Sequence, residues 1–200
     1  MDKILLPQSY HNFSDKRIIL GIPNGLNVLS NLVFIFLSIY LIQKKKSSLL
    51  SIYLLLLAIA SSYYHLNPSN DTLFWDILMI AITSMYVFTM IDGDENGLLF
   101  YFFGILSVIY WKITGDLRLY LLILIGLPLY IVLKYYKNKK VKNDVILLLF
   151  FYLLCRMVEH NDHFIYKITN NTISGHTLKH IFAGLSIYYT IQLLEKVNLI

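Results

Sequence analysis

Long apolar runs separated by short polar connectors fill the chain from Leu26 to Leu194. A helix crossing a hydrocarbon core needs about 20 mostly apolar residues. Seven runs approach that length, over 26–42, 49–65, 73–91, 97–113, 117–135, 145–158 and 176–194. The sixth is short and reaches a spanning length only by taking in Asp144 or Glu159 at its ends. No internal repeat, low-complexity linker or composition shift divides the chain. The pattern predicts an all-α, integral-membrane bundle of seven transmembrane helices. It forms one transmembrane domain over 1–200, with a short N-terminal tail, 1–24, and helices over about 26–194.

Composition explains why lipid must be the solvent. Hydrophobic residues are 57% of the chain, charged residues 14%, and mean hydropathy is +0.61. Soluble domains carry about 25% charged residues, so this chain lacks the charge to cover itself with water. The net charge of +5 raises nucleic acid as a partner. The lysines, however, sit in clusters between apolar runs and form no basic stripe with interleaved aromatics, so no nucleic acid is expected. Lys44, Lys45 and Lys46 occupy the first connector, and Lys137, Lys139, Lys140 and Lys142 the fifth. With seven spans these connectors share a face, which the positive-inside rule assigns to the cytoplasm. The N-terminus is then outside or luminal and the C-terminus cytoplasmic, although Lys3, Lys16 and Arg17 in the tail oppose this sense. The third connector, Asp92-Gly93-Asp94-Glu95, shares the basic face, but acidic residues weigh little in the rule. The tail has no apolar core of secretory-signal length, so insertion is expected to rest on the first spanning helix. Cys155, the single cysteine, excludes an internal disulfide and reads as a small core hydrophobe.

Ionisable groups inside spans are costly and mark function. Ser61 and His65 close the second run, Asp76 lies early in the third, and His176 and His180 open the seventh. Counting spans puts all five at one depth of one membrane face, whatever the absolute orientation. His176 and His180 are four apart and share a helix face at roughly 6 Å, so both imidazoles can reach one metal ion, with His65 as a third nitrogen. Three protein ligands and an open fourth position is the catalytic form of a zinc site. Asp76 is placed to accept a proton from an activated water, and Ser61, one turn before His65, to donate to a developing oxyanion. The alternative is a hydrogen-bonded network that only holds helices together. Glu159, His160, Asp162 and His163 in the sixth connector share the face and read as a solvated connector. His11 is expected to face solvent, and Asn27, Ser30 and Asn31 to cap and cross-link helices. Asn12, Asn70 and Asn170 stand in Asn-x-Ser/Thr sequons.

These residues carry a resemblance. Ser-x-x-x-His, an Asp eleven residues after that His, and His-x-x-x-His opening the last helix resemble the alkaline ceramidase family. That family lies within a wider group of seven-helix membrane hydrolases that includes adiponectin-receptor-like proteins. Tyr-Tyr-His-Leu-Asn-Pro, Leu-Phe-Trp-Asp and Ser-Gly-His-Thr-Leu-Lys-His resemble its compact microbial branch, and Asn27-Val-Leu-Ser30-Asn31-Leu resembles the family's entry to the first helix. The resemblance spans about Pro23 to Tyr189. It implies a Zn2+ bound by His65, His176 and His180, with Asp76 as base and Ser61 stabilising the transition state. It also implies hydrolysis of ceramide to a sphingoid base and a fatty acid, hence a membrane-lipid substrate, ceramide or a related acyl amide; no protein partner is indicated by the sequence. Other lipid amides or esters remain open as substrates, as does a receptor-like or scaffold bundle with a structural metal. Eukaryotic members bind calcium through acidic and tryptophan residues before the first helix. Here Ser14-Asp15-Lys16-Arg17 and Pro23-Asn24-Gly25 offer one carboxylate, so no such calcium site is expected.

Overall fold

The computed structural model describes residues 3–93 and 97–200, so Asp94 and Glu95 of the acidic third connector lie outside the described residues. Among the described residues a 3-10 turn, Gln8–His11, precedes nine α-helices: α1 (Gly25–Leu29), α2 (Leu32–Gln43), α3 (Ser48–Leu66), α4 (Asn70–Asp92), α5 (Gly97–Thr114), α6 (Arg118–Tyr135), α7 (Lys142–His160), α8 (Asp162–Ile168) and α9 (Gly175–Lys196). Among the described residues there is no strand.

The first apolar run is interrupted at Ser30–Asn31, which separates α1 from α2. Ser30 Oγ donates to the Asn27 carbonyl at 2.9 Å, and Asn31 Nδ2 donates to the carbonyls of Asn27 and Val28. Such side chains compete with the helical amides for those acceptors. Pro68 stops α3, because the residue before a proline is pushed out of the helical region; Asn67 sits at φ −143°, ψ 79°. Ser69 and Thr72 then form a capping box that starts α4. A helix therefore ends just past His65, at Leu66, and the next begins at Asn70, which brings Asp76 back to the same end of the bundle. The sixth connector contains α8, a helix the hydrophobic pattern does not announce.

Among the described residues, five helices are long and apolar enough to cross a membrane: α1 with α2 taken as one, α3, α4, α5 and α6, with mean hydropathies from 1.5 to 2.0. Their outward faces carry exposed leucine, isoleucine and phenylalanine, with Leu98, Phe36 and Leu133 among the most exposed. Helices α7 and α9 are outside that set: α7 holds Asp144, Arg156 and Glu159, and α9 holds Lys179 along with His176, His180, tyrosines, threonines and a glutamine. The outer face of α7 is nonetheless apolar, with Ile146, Phe150, Leu153 and Met157 exposed at helical spacing.

Helix α9 packs most extensively on α7 and also meets α2; α2 packs on α3, α3 on α4, α4 on α6 and α6 on α7. These six elements close a ring, and α5 packs outside it against α4 and α6. Two glycines permit the close approach of α9. A Cβ on Gly175 would stand 2.1 Å from the Val158 carbonyl oxygen and 2.7 Å from Asp162 Cα, and one on Gly184 would stand 2.2 Å from a Val33 methyl.

The N-terminal tail is laid across the end of the ring that holds His65. Leu117 N–H donates to the Ile4 carbonyl, and Asp116 accepts from the amides of Ile4 and Arg118 and from the Arg118 guanidinium. The Arg118 bonds, together with the two amides, outweigh burial and hold the Asp116 carboxyl down at about 2. At Asp15, burial opposes ionisation, but the Arg17 guanidinium and amide prevail and the carboxyl lies below its ordinary range.

Ala at position 175 is expected to cost about 1–3 kcal/mol by overpacking against backbone that cannot give way, read as a lowered Tm in detergent. Gly126, with open space around it, serves as the control, and Gly126→Ala is expected to leave Tm unchanged or higher. A Gly175→Ala protein with unaltered Tm would remove this account of the α7–α9 approach. The depressed Asp116 carboxyl contributes stability above its ordinary value near 4 that is lost as pH falls through about 2. Over that window the Tm of the native chain is expected to fall more steeply than that of Asp116→Asn, and parallel curves would contradict the linkage.

Candidate metal centre

Three buried histidines meet at the tail-covered end: His65 on the last turn of α3, and His176 and His180 on the first turns of α9. One ligand atom from each lies within 4.8 Å of the others, so the trio could hold a metal ion. The Nε2 atoms of His65 and His180 are 3.2 Å apart. Two imidazole nitrogens on one tetrahedral zinc, each at 2.0–2.1 Å, stand about 3.3 Å apart, so this separation suits a shared ion. His65 Nδ1 and His176 Nε2 are buried without a hydrogen-bond partner among the described residues. Orphaned polar atoms in an apolar interior are costly, and ligation would relieve that cost for His176 Nε2 directly.

The surroundings orient the rings. His180 Nδ1 is 2.7 Å from Ser30 Oγ, whose own hydrogen is given to the Asn27 carbonyl. Ser30 therefore accepts from His180 Nδ1–H, which leaves the Nε2 lone pair directed at the trio. A ligating histidine commonly has its other nitrogen fixed in this way. The start of α9 is held by two residues from elsewhere: Asn27 Oδ1 accepts from Thr177 Oγ1 at 2.9 Å, and Asp162 Oδ1 accepts from the His176 amide at 2.7 Å. Asp162 Oδ2 also accepts from the Ser14 amide and hydroxyl. Phe13, buried, packs its ring 4.9 Å from that of His65 and 4.6 Å from that of His176, shielding the trio from water.

Asp76 and Ser61, both buried, interact with one another and line a cavity of about 270 Å³ together with His180. The cavity's far end is apolar, formed by Leu50, Val87, Ile131 and Ile191. Three helices measure its length independently. From Ser61 to Leu50, from Asp76 to Val87 and from His180 to Ile191 are each 11 residues, or about 16 Å of helix. The ring thus encloses a narrow apolar shaft with the polar groups at one end. No residue of α5 lines it among the described residues.

Several side chains at this end are placed differently from the sequence expectation. The sixth connector is not simply solvated. His160 and His163 are exposed, but Asp162 cross-links the tail to α9, and Glu159, nearly buried, pairs with Lys179 at 2.6 Å. His11 does not merely face solvent, since its ring nitrogens contact Tyr64 OH at 3.0 Å and Asn70 Oδ1 at 2.9 Å. Ser30 and Asn27 cross-link helices as expected from their types, yet their importance as supports of His180 and Thr177 is visible only in three dimensions. Lys179, inside the His-Thr-Leu-Lys-His motif, was available as a signal: a lysine on a spanning helix demands a partner. No protein-family model, curated protein or solved structure matches the chain.

Loss of the Ser30 hydroxyl should loosen the His180 ring without removing a ligand. Ser30→Ala is expected to weaken metal affinity roughly 10- to 100-fold, the usual cost of losing such a support, when the ion is competed away with a chelator in detergent. Unchanged affinity would mean that the Ser30–His180 bond does not position a ligand.

Proposed function

We propose that the chain is a zinc-dependent, intramembrane hydrolase of lipid amides, built as a seven-span bundle. The observation that carries this reading is the convergence of a metal-competent histidine trio, a carboxylate and a hydroxyl at the polar end of an apolar shaft. Helices α7 and α9 are the additional spans. Their 19 and 22 residues give about 28 and 33 Å of helix, comparable with a hydrocarbon core of roughly 30 Å. Arg156, Glu159 and Lys179 lie at the polar end, and Lys196 pairs with Asp144 at 2.7 Å. The lysine clusters at the opposite end support an orientation with that end in the cytoplasm and the site toward the outer or luminal face.

The shaft takes an acyl chain and leaves its carbonyl beside Ser61, Asp76 and His180. His65, His176 and His180 would hold the zinc, which when bound polarises a carbonyl and lowers the pKa of water to about 7. Asp76 accepts the proton of the attacking water as the C–O bond forms. The Ser61 hydroxyl donates a hydrogen bond to the oxygen on which negative charge develops. The protonated Asp76 then returns its proton to the amide nitrogen as the C–N bond breaks, so that a free amine and a fatty acid leave and the base is regenerated. Phe13 and the tail keep bulk water from the polar end, which strengthens each of these interactions. Ceramide is the first substrate to test, on the strength of the motif resemblance.

Fatty-acid release from ceramide and from other acyl amides and esters, by protein purified in detergent, tests the reading. Release is expected to vanish on chelation and return with zinc. Asp76→Asn is expected to keep its metal and lose about 10²- to 10⁴-fold in kcat, and Ser61→Ala about 10²- to 10³-fold. Bound zinc with no hydrolysis of any of these lipids would instead assign the trio to a structural metal in a receptor-like bundle.

A further inference from the structure

Beside Asp76 and His180, the polar end of the shaft is lined by a second group of side chains that the proton transfers do not use: Tyr10, Arg156, Glu159 and Lys179. Glu159 is their hub. Its Oε1 accepts from Lys179 Nζ at 2.6 Å and from Tyr10 OH at 3.0 Å, and its Oε2 accepts from Arg156 Nη1. Lys179 also donates to Tyr10 OH at 3.3 Å. Both oxygens of the hub are therefore engaged, and the Tyr10 hydroxyl both donates and accepts. Donors are left over. An ammonium has three N–H groups and a guanidinium five; among the described residues Lys179 uses two and Arg156 one. Both cations bond the same carboxylate, Glu159. Asp76 lines this end as well and offsets the second charge, but it pairs with neither cation at ion-pair distance among the described residues, so donors remain without a bonded acceptor.

Lys179 is largely covered, with 14% of its side chain accessible, where a spare donor is costly, while Arg156, 44% accessible, keeps its spare N–H groups open beside the cavity. An excess of cationic donors at the wall of a lipid-sized cavity is the arrangement that receives an acceptor-rich, anionic group. The neutral, hydroxylated headgroup of a ceramide would not use it fully. We infer that Arg156 and Lys179 form a headgroup subsite for a carboxylate, and that the preferred substrates are lipid amides whose amine half carries an acid, the N-acyl amino acids. This rests on the hydrolase reading above and adds the substrate class. The acyl chain occupies the shaft, the amide lies at Ser61 and Asp76, and the carboxylate beside it bridges the Arg156 guanidinium and the Lys179 ammonium. Tyr10, delivered by the tail, sets the position of both cations through Glu159.

The test is equilibrium binding to metal-free protein in detergent, where no carboxylate can ligate zinc and no substrate is consumed. The probes are N-lauroylglycine, the neutral N-lauroylethanolamine and laurate. The acyl glycine is expected to bind at least ~10-fold more tightly than the neutral amide, the scale of charge-assisted hydrogen bonds. Arg156→Gln, which leaves the Lys179–Glu159 pair in place, should reduce that preference by a similar factor. The paired change Lys179→Gln with Glu159→Gln, which strands no charge, should reduce it too. Equal binding of acid and neutral amide, or a preference untouched by both variants, would overturn the subsite. Tight binding of laurate alone would assign the cations to the fatty-acid product and overturn the substrate class. With zinc restored, the acyl glycine is expected to be cleaved with a lower KM than ceramide, and Arg156→Gln to raise KM more than it lowers kcat. A carboxylate preference in binding with no cleavage of any amide would sink the hydrolase reading and leave the subsite standing.

Discussion

In hydrocarbon, every polar group must find its partner within the protein, and this molecule is organised by that requirement at one end of its bundle. Three imidazoles are buried there with two of their nitrogens unpartnered, and the remaining architecture keeps them so. Pro68 ends α3 just past His65, the Ser69–Thr72 box turns the chain into α4, and Ser174 caps α9 two residues before His176. Gly175 allows that start to press against the end of α7. Each device is local, yet together they set three ligand atoms within 4.8 Å of one another across a sequence separation of 115 residues.

The tail completes the arrangement. It reaches from Ile4 at the α5–α6 loop, past Tyr10 at Glu159 and Phe13 over the histidines, to Ser14 at Asp162 and Arg17 at the Thr172 carbonyl. A bundle of six ring helices would otherwise leave the polar end open to water. The cover explains how a carboxylate, a hydroxyl and a histidine trio can work beside an apolar shaft, where each hydrogen bond counts for more than it would in solvent. It also brings Tyr10 to Glu159 and Lys179, beside the cavity.

Much of the site was legible in the sequence, because spanning helices make depth countable. The parity of the spans places Ser61, His65, Asp76, His176 and His180 together, and their i, i+4 spacings orient them. What escaped was lateral. Hydropathy cannot say that α5 stands outside the ring, since its apolar composition is the same whether it faces lipid or neighbours. Nor can it say that the first run breaks at Ser30–Asn31, where side chains displace helical hydrogen bonds. The polar sixth connector was read from composition as solvated, but Asp162 and Glu159 are drawn in by partners distant in sequence, Ser14 and the His176 amide for one, Lys179 and Tyr10 for the other. Helices α7 and α9, outside the set apolar enough to span, are also the ones that bring Arg156, Glu159, His176, Lys179 and His180 to this end of the ring.

The most direct test of the central claim is X-ray absorption at the zinc edge on purified, zinc-loaded protein. The account predicts one zinc per chain in a four-coordinate shell of three imidazole nitrogens and one further light atom, with distances near 2.0–2.1 Å. It also predicts loss of one imidazole from that shell in His180→Ala. A shell with fewer imidazoles, or one that His180→Ala leaves unchanged, would contradict it.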